Sequence, residues 1–401
     1  QNDMLAFALK VSMAGYVLAA AALYFMEPLI ARKFSARSPL LVEYFYFVLP
    51  MGFFILIFQV LEAYSYGHRK GVLTSFLKEV LVRLYTFIVI ILKITGIIGF
   101  KTFILLFSIQ YLVLVVVLVI ILERENKLWL CFRSSRVTLK FRKKIVAIMA
   151  LTSMVVFVGV LRPSIDSLVL ASRVNLDSTA FFGFAVYLTS VIQAPFRSIL
   201  AVTVPILSRA WKDKDNKEIS RIYKRSSINL LSFSLFTFFL ILLNFTNAIN
   251  FLGINPEYHT GYWVFFIIGI VTIIEMGTGV NGQIIGTSVY WRFELWTSLL
   301  LTALIIPLSY FLTLKYGILG PALSNLISFS IYNAVRIWFL WNKFHFQPFS
   351  KKTIEVILLG ITAFLATYLL FKNMTGLPAI IGSSVLFILL FGTIMYLRNI
   401  S

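Results

Sequence analysis

Two side chains of opposite charge lie four residues apart in the stretch GVLRPSIDSLVLASR, directly after a long apolar run. Because this spacing is about one helical turn, Arg162 and Asp166 share a helix face and can neutralise each other. Pro163 frees a backbone carbonyl one turn earlier, and membrane helices tolerate such a break where they line a cavity or pack on protein. The stretch therefore predicts either a cavity wall that offers a cation to an anionic substrate or an ion pair that extends to the outer headgroups.

The next apolar segment contains QAPFRSILAVTVP, with the polar residue Gln193 and the cation Arg197. Arg197 lies too deep to reach the outer surface, so it either lines a cavity or anchors the segment at the cytoplasmic surface. Together with Arg162 it would form a cationic lining, and the planar guanidinium fork is well suited to phosphate. Prolines in these two segments predict bending points for gating. The predicted hinges are Pro163, Pro195 and Pro205.

Glu275 lies near the middle of another apolar segment, in the stretch TIIEMGTGVNGQIIGTS. A carboxylate at that depth must be protonated or paired, so Glu275 and Asp166 are candidates for cation coupling, and Glu275 is also a candidate partner for an arginine. Three glycines here match G-x-G-x-x-G, but no strand precedes them, and the sequence predicts no dinucleotide site. Gly282 and Gly286 instead predict a face of small residues for close helix packing.

A fourth polar stretch, GILGPALSNLISFSIYNAVRIWFLW, carries Asn325, Asn333 and Arg336. Arg336 is close enough to the cytoplasmic end of its segment to extend to that surface, which is the alternative to a position in the cavity. The residues predicted to line a substrate cavity are Arg162, Asp166, Gln193, Arg197, Glu275, Asn281, Asn333 and Arg336.

The sequence offers no pattern for metal or cofactor chemistry. It has one cysteine, and its three histidines fall in loops without ligand-like spacing, so no metal site is predicted. A G-x-x-x-x-G-K-[ST] stretch is absent, which argues against direct use of ATP. No Ser-His-Asp or paired-carboxylate set can be assembled either, and we predict a protein that is not an enzyme and carries no cofactor.

Composition identifies the elements that must position these residues. Of the 401 residues, 60% are hydrophobic and 13% are charged, and the mean hydropathy is +0.91, whereas soluble domains average about 45–50% apolar and about 25% charged residues. Runs of about 20 apolar residues recur along the chain, each long enough to cross roughly 30 Å of hydrocarbon. We predict an all-α polytopic membrane protein with about twelve transmembrane helices. The predicted spans are 5–25, 40–63, 80–99, 101–122, 145–171, 179–207, 226–247, 262–286, 295–314, 317–341, 353–371 and 377–397.

Lysines and arginines concentrate in alternate loops, which accounts for the net charge of +20 without nucleic acid as a partner. Such loops mark the cytoplasmic side of an inner-membrane protein, and they predict a cytoplasmic C-terminus. The basic stretch 123–144 predicts a cytoplasmic linker between two helical lobes, and its amphipathic part lies either along the membrane surface or in solvent. The other predicted cytoplasmic loops are 64–79, 208–225, 287–294 and 342–352; the predicted outer loops are 26–39, 99–101, 172–178, 248–261, 314–316 and 372–376.

Taken in order, the stretches PFRSILAVTVPILSRAW, GTGVNGQIIGTS and YGILGPALSNLISFSIYNAVRIW resemble the polysaccharide transport family of O-antigen and capsule flippases. This family lies within the superfamily of multidrug, oligosaccharidyl-lipid and polysaccharide flippases. SPLLVEYFYFVLP and GVLTSFLKEVLVRL resemble its lipopolysaccharide-biosynthesis branch. The resemblance implies two helical lobes around a central cavity and two extra C-terminal helices. The implied parts are an N-terminal lobe at 1–122 that lacks the first two helices of the family, the linker at 123–144, a C-terminal lobe at 145–345 and the extra helices in 346–401.

The resemblance implies transport of an undecaprenyl-pyrophosphate-linked oligosaccharide across the bacterial inner membrane by alternating access, for lipopolysaccharide, O-antigen or capsule biosynthesis. It also implies membrane lipids and the polysaccharide polymerase or ligase machinery as partners. Two alternatives stay open. A cation-coupled multidrug exporter of the same fold would have a negatively charged cavity around Asp166 and Glu275. A membrane glycan polymerase or ligase would need basic residues on a long outer loop, and the stretch 248–261 is short and has no Lys or Arg.

Overall fold

The computed structural model of the protein describes residues 2–36, 38–68, 70–125 and 164–398. Within these residues the chain is helical and has no β-strand, which confirms the predicted all-α class. The chain divides into two compact units, Gln1–Val155 (unit 1) and Val156–Ser401 (unit 2). Arg162, Pro163 and most of the predicted linker at 123–144 lie outside the described residues.

Unit 1 contains seven helices in its described part. They are α1 (Asn2–Phe34), α2 (Pro39–Glu43), α3 (Val48–Gly67), α4 (Gly71–Phe76), α5 (Val82–Ile94), α6 (Phe100–Ser108) and α7 (Gln110–Arg124). A 3-10 turn at Phe45–Phe47 precedes α3, and a π-helical segment at Leu77–Leu81 joins α4 to α5.

The core of unit 1 forms where one face of α7 packs on α3. Leu114, Leu118 and Leu122 are fully buried and recur every fourth residue, so they form one row along α7. They share a buried cluster with Phe58 and Leu61 of α3. Hydrophobic spacing along α7 therefore sets which face of this helix turns inward.

The predicted span at 101–122 corresponds to one membrane-crossing stretch, but the helix is interrupted inside it. α6 ends at Ser108, whose Oγ donates to Leu105 O at 2.7 Å. α7 restarts at Gln110, and its buried side-chain amide accepts a hydrogen bond from Thr86 Oγ1 at 3.0 Å. Polar side chains at membrane depth need hydrogen-bond partners, and both polar residues at this interruption have one.

Unit 2 contains ten described helices. They are α8 (164–173), α9 (Leu176–Ile192), α10 (Ala194–Lys212), α11 (Asn216–Phe251), α12 (Gly261–Gly277), α13 (Asn281–Gly286), α14 (Trp291–Tyr316), α15 (Leu319–Phe344), α16 (Lys351–Phe371) and α17 (Gly376–Leu397).

Much of unit 2 packs on α11, which contacts α12, α16 and α17. Phe238 and Phe245 of α11 belong to the buried cluster at these contacts. A polar clamp adds to the apolar packing: Ser383 Oγ donates to Asn244 Oδ1 at 2.9 Å, and Asn244 Nδ2 donates to Ser384 Oγ at 3.1 Å. Hydrogen bonds between membrane helices favour one packing arrangement, so the clamp holds the C-terminal hairpin of α16 and α17 on α11.

Eight stretches of the described residues are long and apolar enough to cross a membrane, which confirms a multi-pass membrane protein. A ninth apolar helix, α9, is shorter. The total of about twelve spans stays a prediction. The eight stretches are Leu5–Arg32, Phe45–Ser65, Phe100–Arg124, Asn216–Phe251, Pro256–Gly277, Trp291–Tyr316, Lys351–Phe371 and Gly376–Leu397.

The prediction of a single helix over 179–207 is wrong. α9 ends at Ile192 and α10 begins at Ala194, with Gln193 between them. Pro195 lies in the first turn of α10, where its missing N–H costs no hydrogen bond. Pro195 therefore begins a helix and does not bend one, whereas Pro205 lies inside α10.

The predicted span at 262–286 is also interrupted, by a turn at 278–280 that separates α12 from α13. Gly279 in this turn has a φ of +64°, a left-handed conformation that a residue with a Cβ adopts only at a cost. A Cβ at this position would lie 2.8 Å from Ser226 Oγ and 3.0 Å from Ser227 N of α11. Backbone conformation and close approach together require glycine here.

Gly279→Ala is expected to lower the free energy of unfolding by about 1–3 kcal/mol. Alanine disfavours the left-handed backbone conformation, and its Cβ would lie too close to α11. The matched control is Gly392→Ala in α17, where an added Cβ meets nothing within 4 Å and alanine favours the helix. Thermal unfolding of the detergent-purified variants measures both effects. Unfolding of Gly279→Ala at the wild-type temperature would show that the turn is not constrained.

Candidate functional site

Unit 2 has a partly open cavity of about 260 Å³ between α8, α9, α12 and α15, and its wall is part polar and part apolar. Asp166, Gln193 and Glu275, three of the residues predicted from the sequence to line a cavity, all face it. Hydroxyl and amide groups complete the polar part of its wall. These additional polar residues are Ser167, Thr189, Ser190, Thr272 and Asn325.

Asp166 is buried, with 5% of its surface exposed. Ser309 Oγ donates to Asp166 Oδ1 at 2.8 Å, and Asn325 Nδ2 donates to Asp166 Oδ2 at 2.6 Å. These donors take the place of water around the carboxylate. The side chain of Asp166 is therefore held inside unit 2 by partners on two other helices.

Glu275 and Gln193 both lie where a helix ends. Glu275 is in the last turn of α12, two residues before the helix stops, and it is half-buried. Gln193 occupies the junction of α9 and α10, where its side chain is exposed. The two helix breaks thus bring polar side chains to the cavity at positions where the backbone leaves the regular helix.

The described wall of the cavity is acidic. It contains two carboxylates, Asp166 and Glu275, and no Lys, Arg or His among the described residues. The predicted cations cannot be placed on this wall, because Arg162 and the side chain of Arg197 lie outside the described part of the structure. The cationic lining therefore stays a prediction.

A second polar cluster of unit 2 is built around the guanidinium of Arg336, which is 5% exposed. Arg336 forms an ion pair with Glu294, and its Nε donates to Thr297 Oγ1 at 3.3 Å. Its Cζ lies 3.8 Å from the centroid of the Tyr332 ring. The guanidinium of Arg336 is therefore held inside unit 2, where Glu294 neutralises its charge.

Amides connect this cluster to the cavity wall. Asn281 Nδ2 and Thr278 Oγ1 each lie 3.0 Å from Asn333 Oδ1, and Asn333 Nδ2 donates to Phe329 O at 3.0 Å. Phe329 lines the cavity, and Thr278 Oγ1 also lies 2.8 Å from Glu275 O. Asn281, Asn333 and Arg336 were predicted to line the cavity, but they lie behind its wall and support it.

The face of small residues predicted at Gly282 and Gly286 lies against this ion pair. A Cβ at Gly282 would lie 2.9 Å from Arg336 Nη1 and 3.3 Å from Glu294 Oε1. At Gly286 an added Cβ would lie 3.9 Å from Glu294 Cγ. The glycines therefore allow α13 to pack closely over a buried charge pair.

The residues assigned to the cavity from the sequence leave out three contributors to these sites. Glu294 lies one residue before a predicted span and looks like an ordinary surface charge. Ser309 is one of several hydroxyl residues in its apolar span, and its spacing does not distinguish it from the others. Asn325 does carry a signal, since it shares a helix face with Phe329 and Asn333 at four-residue spacing.

The middle of unit 1 has a separate groove of about 710 Å³ between α1 and α3. Its wall is mostly apolar, with small residues such as Ala8 and Gly15 on α1 and Gly52 on α3. No Asp, Glu, Lys, Arg or His is part of this wall in the described residues. It therefore offers no acid, base or cation for chemistry.

Comparison with known proteins establishes the fold. A solved structure described as "Lipid II flippase MurJ, inward closed conformation" matches with a TM-score of 0.74 at 15% sequence identity, over 100% of this chain and 84% of that chain. No family model and no curated protein sequence matches the chain. The chain therefore has the polytopic helical fold of that flippase, and the polysaccharide transport branch stays a prediction.

Glu294→Ala is expected to lower the free energy of unfolding by about 3–5 kcal/mol, because it leaves the buried guanidinium of Arg336 without a counter-charge. The double variant Glu294→Leu/Arg336→Met is expected to regain most of that loss, since apolar groups of similar volume often replace a buried ion pair. Thermal or denaturant unfolding in detergent measures both.

The matched control is the pair of Glu218 and Arg221, in which the arginine side chain is 59% exposed, whereas that of Arg336 is 7% exposed. Arg221→Ala is expected to change stability by about 1 kcal/mol or less. If the double variant Glu294→Leu/Arg336→Met were less stable than Glu294→Ala alone, the ion pair would not be the reason for the loss.

Proposed function

We propose that this chain is a flippase that moves an undecaprenyl-pyrophosphate-linked oligosaccharide across the bacterial inner membrane by alternating access. The transported glycan would serve lipopolysaccharide, O-antigen or capsule biosynthesis, and the polymerase or ligase machinery would receive it. The observation that carries the proposal is a fold shared over the whole chain with a solved lipid flippase. A polar cavity among membrane-spanning helices supports it.

The chemistry of such a substrate requires a polar path. A pyrophosphate and its sugars would lose their hydrating water in hydrocarbon, and an uncompensated charge there is prohibitively costly. A cavity with amides, hydroxyls and carboxylates replaces that water while the lipid tail stays in the bilayer. Gln193 and Ser190 are groups that hydrogen-bond sugar hydroxyls. Transport of this kind breaks no bond in the substrate, so it needs neither a catalytic residue nor a cofactor.

Charge divides the roles of the site residues. Arg162 and Arg197 are assigned to the pyrophosphate, because guanidinium groups bind phosphate oxygens through two parallel hydrogen bonds. Asp166 and Glu275 are assigned to a coupling cation, either a proton or sodium. A cation on these carboxylates removes negative charge from the wall as an anionic headgroup enters, so the two ligands would favour each other's binding.

A second candidate function is a cation-coupled multidrug exporter. The acidic wall formed by Asp166 and Glu275 favours this reading, because a cationic drug would be attracted to it. The two functions differ in what cells lose when the carboxylates are neutralised. A flippase mutant loses surface polysaccharide, whereas an exporter mutant becomes sensitive to cationic drugs.

Asp166→Asn and Glu275→Gln are expected to abolish surface polysaccharide in cells that lack the wild-type chain, because an uncharged amide takes up no proton and holds sodium more weakly than a carboxylate does. Arg162→Ala and Arg197→Ala are expected to do the same by removing the pyrophosphate contacts. Immunoblots of surface glycan and of the membrane-inserted protein separate lost transport from lost insertion. Dissipating the proton or the sodium gradient in wild-type cells identifies the cation.

Glu257→Gln is the control, because this carboxylate lies in the exposed turn before α12 and not at the cavity. It is expected to export glycan normally. Normal export by both carboxylate variants would exclude coupling through this cavity. Loss of drug resistance with normal export would favour the exporter.

A further inference from the structure

One end of unit 2 gathers aromatic rings from three helix ends. Trp211 lies in the last turn of α10, Tyr290 directly precedes α14, and Phe344 is the last residue of α15. The ring centroids of Trp211 and Phe344 are 5.0 Å apart, and those of Tyr290 and Phe344 are 5.8 Å apart. We call these three residues, together with the cations Lys212, Arg292 and Lys343, the Trp211 corner.

Three exposed cations lie within two residues of these rings in the sequence: Lys212, Arg292 and Lys343. Lys343 Nζ lies 5.4 Å from the centroid of the Tyr290 ring, and Arg292 Cζ lies 5.6 Å from that of the neighbouring Trp291 ring. None of the three cations forms an ion pair within the part of the chain that the structure describes.

The acidic residues nearest in sequence do not neutralise these cations. Glu294 is two residues from Arg292, but it pairs with the buried Arg336. Asp213 follows Lys212 and is exposed, and it forms no ion pair with a described residue. The Trp211 corner therefore carries a net positive charge that is open to a partner of opposite sign.

Exposed indole rings place this corner at the membrane surface. Trp291 begins a candidate membrane span and is 49% exposed. Trp341, in the last turn of α15, is also 49% exposed. Tryptophan concentrates at the level of the lipid headgroups, where its ring is half in hydrocarbon and half in water. The negative groups at that level are lipid phosphates.

We infer that the Trp211 corner binds the phosphate headgroup of an anionic phospholipid from the adjacent leaflet. Charge complementarity supplies the attraction, and the surrounding rings fit the boundary between headgroup and acyl chain. A hydrogen bond also connects the Trp211 corner to the interior of unit 2. Trp211 Nε1 donates to Ile284 O of α13 at 3.0 Å, and α13 is the helix whose glycines cover the Arg336–Glu294 pair.

Native mass spectrometry of the detergent-purified full chain tests this inference. The protein is titrated with phosphatidylglycerol or with phosphatidylcholine of the same acyl chains, and dissociation constants are read from the bound fractions. Wild type is expected to retain phosphatidylglycerol more tightly. The triple variant Lys212→Ala/Arg292→Ala/Lys343→Ala is expected to bind it on the order of 100-fold more weakly, with phosphatidylcholine binding unchanged.

The matched control removes the same charge from loops of the other predicted side, with Lys101→Ala/Lys315→Ala/Lys372→Ala. Lys315 is a close match, because its Nζ lies 5.2 Å from the Tyr316 ring at the opposite end of α14. This variant is expected to retain phosphatidylglycerol as wild type does. Thermal unfolding without lipid checks that each variant is folded. Lys343→Gln alone is expected to weaken binding about fivefold, which keeps the test usable if the triple variant misfolds.

Three results would overturn the inference. The first is unchanged phosphatidylglycerol binding by the folded triple variant, or by Lys343→Gln if the triple variant misfolds. The second is an equal loss in the control, which would indicate an effect of net charge alone. The third is displacement of the lipid by inorganic phosphate at the same concentration, which would indicate a site for the free anion. Each readout is independent of transport, so it does not depend on the proposed function.

Discussion

An ionised group inside a membrane protein needs partners that replace its water, and unit 2 is arranged around that constraint. Asp166 obtains two donors from different helices, Ser309 on α14 and Asn325 on α15. Arg336 obtains a counter-charge from Glu294 and the face of the Tyr332 ring. These groups lie on helices that would otherwise pack through apolar side chains, so the polar contacts restrict which packing is possible.

The helix breaks follow from the same constraint. At the turn of residues 278–280, the left-handed Gly279 lets the chain pass close to α11, and Thr278 and Asn281 then reach Asn333. The resulting chain of hydrogen bonds extends from the ion pair to the wall that carries Glu275. A cavity wall with two carboxylates is thus backed by a network of hydrogen bonds.

Composition and apolar run length predicted the class and most spans correctly, because hydrocarbon thickness sets the length of every crossing helix. The same reasoning joined α9 to α10 and α12 to α13, since a single polar residue such as Gln193 hardly changes the mean hydropathy of a long segment. Intramembrane carboxylates are costly, which is why the sequence singles out Asp166 and Glu275, and both lie on the wall of one cavity. The pairing of Arg336 with Glu294 could not be read from the sequence, since Glu294 is distant along the chain and only tertiary packing brings the two together.

The proposed function requires that the cavity beside Asp166 and Glu275 admits water and ions within the membrane. Cysteine labelling by a membrane-impermeant cationic thiol reagent measures this access, in a chain whose single cysteine, Cys131, is replaced by serine. Ser190 lines the cavity, whereas its neighbour Val191 is exposed on another face of α9. Ser190→Cys is expected to be labelled, and Val191→Cys is not. Labelling of Val191→Cys alone, or of neither variant in any transport condition, would contradict this expectation.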